Sequence, residues 1–232
     1  MKVELKERIS RLKTLHLQAK SAFILNEKMK EYRAPNLLGK ELAHKHSLDL
    51  GAYKGFINIA EKAINTDLHI TLAKLFDSHN LALHIDVLVR LAKEGQETLE
   101  TAEIDDEEAE ELYRGLSQEE WAELESLIEA QRGSIDRLKR IRNTEVAHID
   151  LVEPKDNDYL TYQEMADLID LSGEVLNRLS VRFLGVGMWD DMYFEEVERD
   201  TISLLELISS SEDERKALRK AELNKILNED RG

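Results

Sequence analysis

The chain has 232 residues, 42% hydrophobic and 34% charged, with no cysteine, two prolines and ten glycines. That apolar content excludes a disordered chain, and the missing thiols exclude disulfide staples, thiolate metal sites and cysteine nucleophiles together. Asp and Glu number 48 against 32 Lys and Arg, and the net charge of −16 argues against a general nucleic-acid coat.

Helical periodicity runs almost throughout. Ile9, Leu12, Leu15, Ala19, Ala22 and Phe23 recur at three- and four-residue steps, which predicts a long opening helix ending near Tyr32, with Pro35 as a stop beyond it. The apolar stretch Leu48 to Phe76 predicts another long helix, or two in series. Asp77-Ser78 is expected to cap a third from His79 to Lys93, which Gly95 ends. An acid-rich loop with a short helix follows, and Ser117 with Glu120 forms a capping box for a fourth helix. Trp121, Leu124, Ile128, Ile135, Leu138 and Ile141 line one face of that helix, and Pro154 closes it. Thr161 with Glu164 makes a second capping box, opening a fifth helix with the stripe Met165, Leu168, Leu171, Val175, Leu179 and Phe183, stopped by Gly185 and Gly187. A sixth segment runs from Trp189 through Ile208, and Ser210 to Glu214 opens a final charged helix that docks weakly or on a partner. No stretch alternates as a strand would. The expected fold is an all-α antiparallel bundle over 1–185, with an acidic insertion at about 97–117 and a helical extension over 186–232.

Charge is distributed unevenly. From Glu97 to Glu129 the chain carries a net −13, whereas Arg132 to His148 holds five bases (Arg132, Arg137, Lys139, Arg140, Arg142) against two acids. The basic island ends in Arg142-Asn143-Thr144-Glu145-Val146-Ala147-His148, where a guanidinium, an amide, a carboxylate and an imidazole crowd one helix end. Six steps of ~100° set His148 ~120° around the helix from Arg142 and ~9 Å along it, so the two do not share a face. Either the Arg side chain reaches across the last turn, or the helix loosens before Pro154, or a second chain supplies the missing half. Such a set suits RNA cleavage without a metal: the imidazole takes or returns a proton, and the guanidinium steadies the charge on phosphorus. A helix end also favours Arg, Lys and His through its dipole, with no chemistry at all.

The string Ile141 to Asp150 resembles the HEPN superfamily motif, in which four to six residues separate an Arg from a His; here five intervene. Lys74-Leu75-Phe76-Asp77, the Ala147-His148-Ile149-Asp150 ending and the aromatic run Asp158-Tyr159-Leu160-Thr161-Tyr162 look like the abortive-infection AbiU-type branch, over roughly Ile9 to Phe183. The resemblance implies a helical bundle, commonly dimeric, with paired motifs forming a ribonuclease site used in phage defence or toxin-antitoxin systems. It assigns Arg142 and His148 as the catalytic pair and Asn143 as the adjacent polar residue; Arg137, Lys139 and Arg140 of the basic island are expected, by their charge, to bind RNA. Some HEPN toxins are controlled by nucleotidylation of a Tyr two residues after the His; Asp150 stands there, which disfavours that control.

The other signals carry less. His44-Lys45-His46 and the pair His79 and His84 lack the partners of a metal site, Asp105 to Glu108 lacks the glycine of a calcium loop, and Gly185-Val186-Gly187 is a fragment of a dinucleotide loop. No metal or cofactor is expected. No apolar run approaches ~18 residues and no secretory signal opens the chain, so a cytoplasmic protein without a membrane partner is expected. The leading expectation is a homodimeric, metal-independent endoribonuclease acting on RNA. The alternative is a non-catalytic interaction module or antitoxin-like partner, whose acidic surface masks a basic protein.

Overall fold

Nine helices and no strand make up the residues described by this computed structural model, namely 2–77, 82–100, 115–142, 159–188 and 190–229. The helices are α1 (Lys2–Glu31), α2 (Pro35–Leu38), α3 (Lys40–Gly51), α4 (Lys54–Leu75), α5 (Ile85–Glu100), α6 (Gln118–Ala130), α7 (Arg132–Ile141), α8 (Tyr162–Leu184) and α9 (Asp191–Glu229). The architecture is all-α. Among the described residues, no helix is long and apolar enough to cross a membrane. Two compact units form: Met1–Ala22 with Thr66–Asp190, and Phe23–Asn65 with Asp191–Gly232.

In the first unit α5, α6 and α7 pack on α8. Helix α8 starts because the Thr161 hydroxyl accepts the Glu164 amide at 3.2 Å while Glu164 accepts the Thr161 amide at 2.8 Å, satisfying two orphan donors of the first turn. It ends at Gly185, whose left-handed φ of 66° costs a glycine nothing. Between these ends Leu168, Val175, Leu176 and Leu179 are fully buried, as the apolar stripe requires. Helix α6 repeats the device with Ser117 and Glu120.

The chain returns to α6 through a clamp. Gln96 on α5 accepts the Leu116 amide at 2.9 Å and the Trp121 indole N–H at 3.1 Å, and its own amide donates to the Leu116 carbonyl at 2.8 Å. Gly115 makes this approach possible: with φ at 63°, a Cβ there would lie 2.3 Å from the Gln96 amide oxygen. Trp121 is thereby a packing residue, buried with its ring tilted against Phe183.

In the second unit α2 and α9 pack on α3. Its core holds Met29, Leu50, Ile57 and Leu205, with Tyr32, Tyr53, Ile64 and Ile208 against them. The His46 Nδ1 lies 2.8 Å from the Tyr32 carbonyl, which it meets as a donor, and its ring stacks flat on Tyr32 at 3.9 Å.

Several boundaries differ from the sequence expectation. Pro35 opens α2 rather than simply ending α1, using the first-turn position where its missing N–H costs no bond. The stretch expected as one or two helices contains α2, α3 and α4. Helix α5 starts at Ile85, with the His84 carbonyl accepting the Leu88 amide, so Asp77 is not its cap; residues 78–81 lie outside the described residues. It runs through Gly95, which is buried, and reaches Glu100. The expected fourth helix is broken at Gln131 into α6 and α7. The sixth segment and the final charged helix are one helix, α9.

Candidate ribonuclease site

Arg142 follows the last residue of α7 and retains helical angles (φ −55°, ψ −45°), its amide reaching the carbonyls of Leu138 and Lys139. Ser134, Ile135, Leu138 and Ile141 bury one side of α7, which fixes the direction from which Arg142 leaves the helix. Its guanidinium lies 3.0 Å from the carboxylate of Asp77, two residues beyond α4, with the Arg142 side chain 29% exposed. The carboxylate opposes the guanidinium charge and favours this placement of the side chain. Asp77 is the site residue that reading the chain as capped helices missed. The pair joins residues far apart in sequence, and the only trace of it was the Lys74 to Asp77 string in the resemblance.

Asn143 and His148, together with the expected closure by Pro154, lie outside the described residues, as does the acidic loop between 101 and 114. The described geometry therefore concerns the Arg142 half of the motif.

The rest of the basic island is largely engaged in ion pairs. Arg132 meets Asp86 at 3.1 Å and Glu129 at 3.3 Å. Arg137 pairs with Glu164, the same carboxylate that caps α8. The Thr161 amide first, and then the Arg137 guanidinium, hold the Glu164 carboxyl below the usual carboxylate range. Lys139 is largely covered and lies 3.9 Å from Asp136, whereas Arg140 is exposed. Of the three expected RNA-binding cations, Arg137 and Lys139 neighbour carboxylates, and Arg140 is exposed.

His84 is buried beside this region, and among the described residues neither ring nitrogen has a hydrogen-bond partner. Burial lowers its pKa, the carboxylates of Asp86 and Asp77 oppose that, and Lys139 and Arg90 reinforce it. The imidazole is consequently neutral at pH 7, set among the charges that surround Asp77.

The acidic stretch is partly compensated where it is described. Glu120 meets Arg182 at 2.5 Å, Glu123 takes both Arg178 amino groups at 2.8 and 3.2 Å, and Glu125 meets Lys93 at 2.7 Å. These carboxylates tie α6 to α8 and α5. They belong to the folded unit rather than to a free anionic surface.

Comparison with curated proteins and with solved structures gave no match. A family model of the HEPN type, described as AbiU2, matches residues 2–201. That span contains both capping boxes, the Asp77–Arg142 pair and the whole Arg-to-His string. The chain therefore belongs to the AbiU2 family of HEPN abortive-infection proteins.

Proposed function

We propose that this protein is a metal-independent endoribonuclease of phage defence or of a toxin-antitoxin pair, acting in the cytoplasm as a homodimer. The observation that carries the reading is Arg142, held by Asp77 at the end of α7 with five residues between it and His148, in a chain of the AbiU2 family. His148 takes the proton of a ribose 2′-hydroxyl, the 2′-oxygen bonds to phosphorus, and the bond to the 5′-oxygen breaks as that oxygen receives a proton. Arg142 stabilises the extra negative charge of the pentacoordinate state, and Asn143 donates to a phosphate oxygen. The products are a 2′,3′-cyclic phosphate and a 5′-hydroxyl. One imidazole contributes ~10²- to 10⁴-fold by acid-base action, so a two-fold dimer that pairs two motifs supplies a separate base and acid.

The alternative of a non-catalytic acidic module draws on the net −13 between Glu97 and Glu129. The pairing of Glu120, Glu123, Glu125 and Glu129 with arginines and a lysine reduces the charge available for masking a basic partner such as an antitoxin target. Purified protein is expected to cut single-stranded RNA in EDTA and leave cyclic phosphate ends, with His148→Ala losing at least ~100-fold in rate at unchanged circular dichroism. Equal cutting by the wild type and this variant removes the proposal.

A further inference from the structure

The mechanism above leaves one buried titratable group without a use, His84. Its carbonyl accepts the Leu88 amide at 2.9 Å, which pins the residue at the start of α5. The residue is only 4% exposed, and among the described residues neither ring nitrogen meets a hydrogen-bond partner. A neutral imidazole carries one N–H and one bare nitrogen, and leaving both unpaired away from water costs stability that an apolar residue of similar size would not. Such an orphan has its use in a state of the protein where a partner is at hand.

The charges around the ring name that partner. Burial, the largest effect, keeps the imidazole neutral; Asp86 on α5 and Asp77 beyond α4 pull toward the charged form, and Lys139 on α7 and Arg90 on α5 push against it. Each of the two carboxylates is held by an arginine, Asp86 by Arg132 at 3.1 Å and Asp77 by Arg142 at 3.0 Å. The two pairs differ in what is asked of the arginine. Arg132 also meets Glu129 at 3.3 Å, whereas Arg142 is the guanidinium whose charge is needed on phosphorus. An arginine cannot give its full field to a phosphate and to a carboxylate at once. The Asp77 side chain is 20% exposed, so water alone compensates it poorly when the guanidinium turns away.

We propose that His84 is a positioning residue of the Arg142 site: when Arg142 turns from Asp77 to a phosphate of the RNA, the imidazole N–H takes up the Asp77 carboxylate. The phosphate in this statement rests on the ribonuclease reading; the exchange of partners at Asp77 rests on the orphaned ring and the Asp77–Arg142 pair. His84 does not touch the substrate. It lowers the cost of freeing Arg142, and its affinity for a solvent proton rises as Asp77 loses its cation.

The exchange can be read without RNA. In the full-length protein the His84 ring is followed by NMR through a pH titration, its signal assigned by its absence from His84→Gln. Arg142→Gln should raise the His84 midpoint by about one pH unit, because the carboxylate is left to the imidazole, and in an Asp77→Asn background by no more than ~0.3 unit. No rise, or an equal rise in both backgrounds, overturns the proposal; the equal rise is the direct field of a lost cation. Cutting of single-stranded RNA gives the second arm. His84→Leu should be no less stable in urea than the wild type, since the ring has no partner to lose, yet should cut about tenfold more slowly, the worth of one hydrogen bond to a charged group. His84→Gln keeps an N–H and should recover most of that rate. A His84→Leu chain that cuts at the wild-type rate, or whose lost rate follows lost stability, overturns the proposal. A wild type that cuts no RNA removes the ribonuclease reading, and the titration cycle then still decides whether His84 and Arg142 share Asp77.

Discussion

His16 in the first unit and Asp49 in the second are both buried and ionisable, and they meet burial in opposite ways. His16 gives up its charge. Its Nδ1 lies 2.8 Å from the Ser172 hydroxyl, whose own proton goes to the Ile169 carbonyl at 2.7 Å, so Ser172 accepts and the imidazole carries its hydrogen on Nδ1. Burial first, and the nearby Lys20, lower its pKa from 6.5 to about 4. Asp49 retains its charge at 0% exposure. Burial alone would raise it, but the Lys216 ammonium at 2.7 Å, the Ser209 hydroxyl at 2.8 Å and Lys45 at 3.7 Å together hold it below the usual range. An imidazole becomes neutral within two or three pH units, whereas a carboxylate at neutral pH needs a cation brought to it. Here α9 brings it, through Lys216.

The largest expected effect separates the two by pH. The unfolded chain protonates His16 near pH 6.5 and the folded chain only near 4, so stability is lost as pH falls through that window. The loss is on the order of 3 kcal/mol, since each pKa unit is ~1.4 kcal/mol. Asp49 contributes nothing to that slope, because its lowered pKa keeps its stabilisation until pH falls below the ordinary aspartate range. Urea unfolding at pH 7 and 4.5 should show the slope in the wild type and most of it gone in His16→Gln. What remains there comes from His84, whose pKa is lowered in the same direction, and from carboxylates held below their usual range, Glu120 and Glu164 among them.

Lys216→Met tests the other half. It strands the Asp49 carboxylate and should cost about 2 kcal/mol, below the ~3–5 of a fully buried pair because Lys216 is half exposed. The deficit should shrink toward pH 4 as Asp49 becomes free to protonate, and a pH-independent deficit would mean that packing rather than charge is lost. Smallest is Ser172→Ala, which leaves the His16 N–H without its acceptor and should cost about 1–2 kcal/mol in the same urea measurement at pH 7.

Where local chemistry suffices, the sequence was legible. Both capping boxes, the α8 stripe and the Gly185 stop stand as the residue pattern requires, since each depends on neighbours within four positions. The serines at 209–211 misled for a reason of the same kind. Serine usually opens helices, but Ser209 is spent on Asp49 and the Ser210 hydroxyl turns back to the Leu207 carbonyl at 3.0 Å, so α9 continues. Gly95 is a stop by propensity and a buried residue of α5 in the fold. For the candidate site, the spacing from Arg142 to His148 was readable, while Asp77 as the holder of Arg142 was not, because the partners sit on opposite sides of three intervening helices in the chain.

Sequence by itself determined the helical class, the starts of α6 and α8 and the spacing of the Arg-to-His string, all consequences of residue type at fixed local spacing. Tertiary structure alone decided which cation meets which buried carboxylate, that Arg142 rests on Asp77, and that the last helix is unbroken. Those outcomes depend on through-space electrostatics and on burial, which act between side chains that the order of the chain keeps apart.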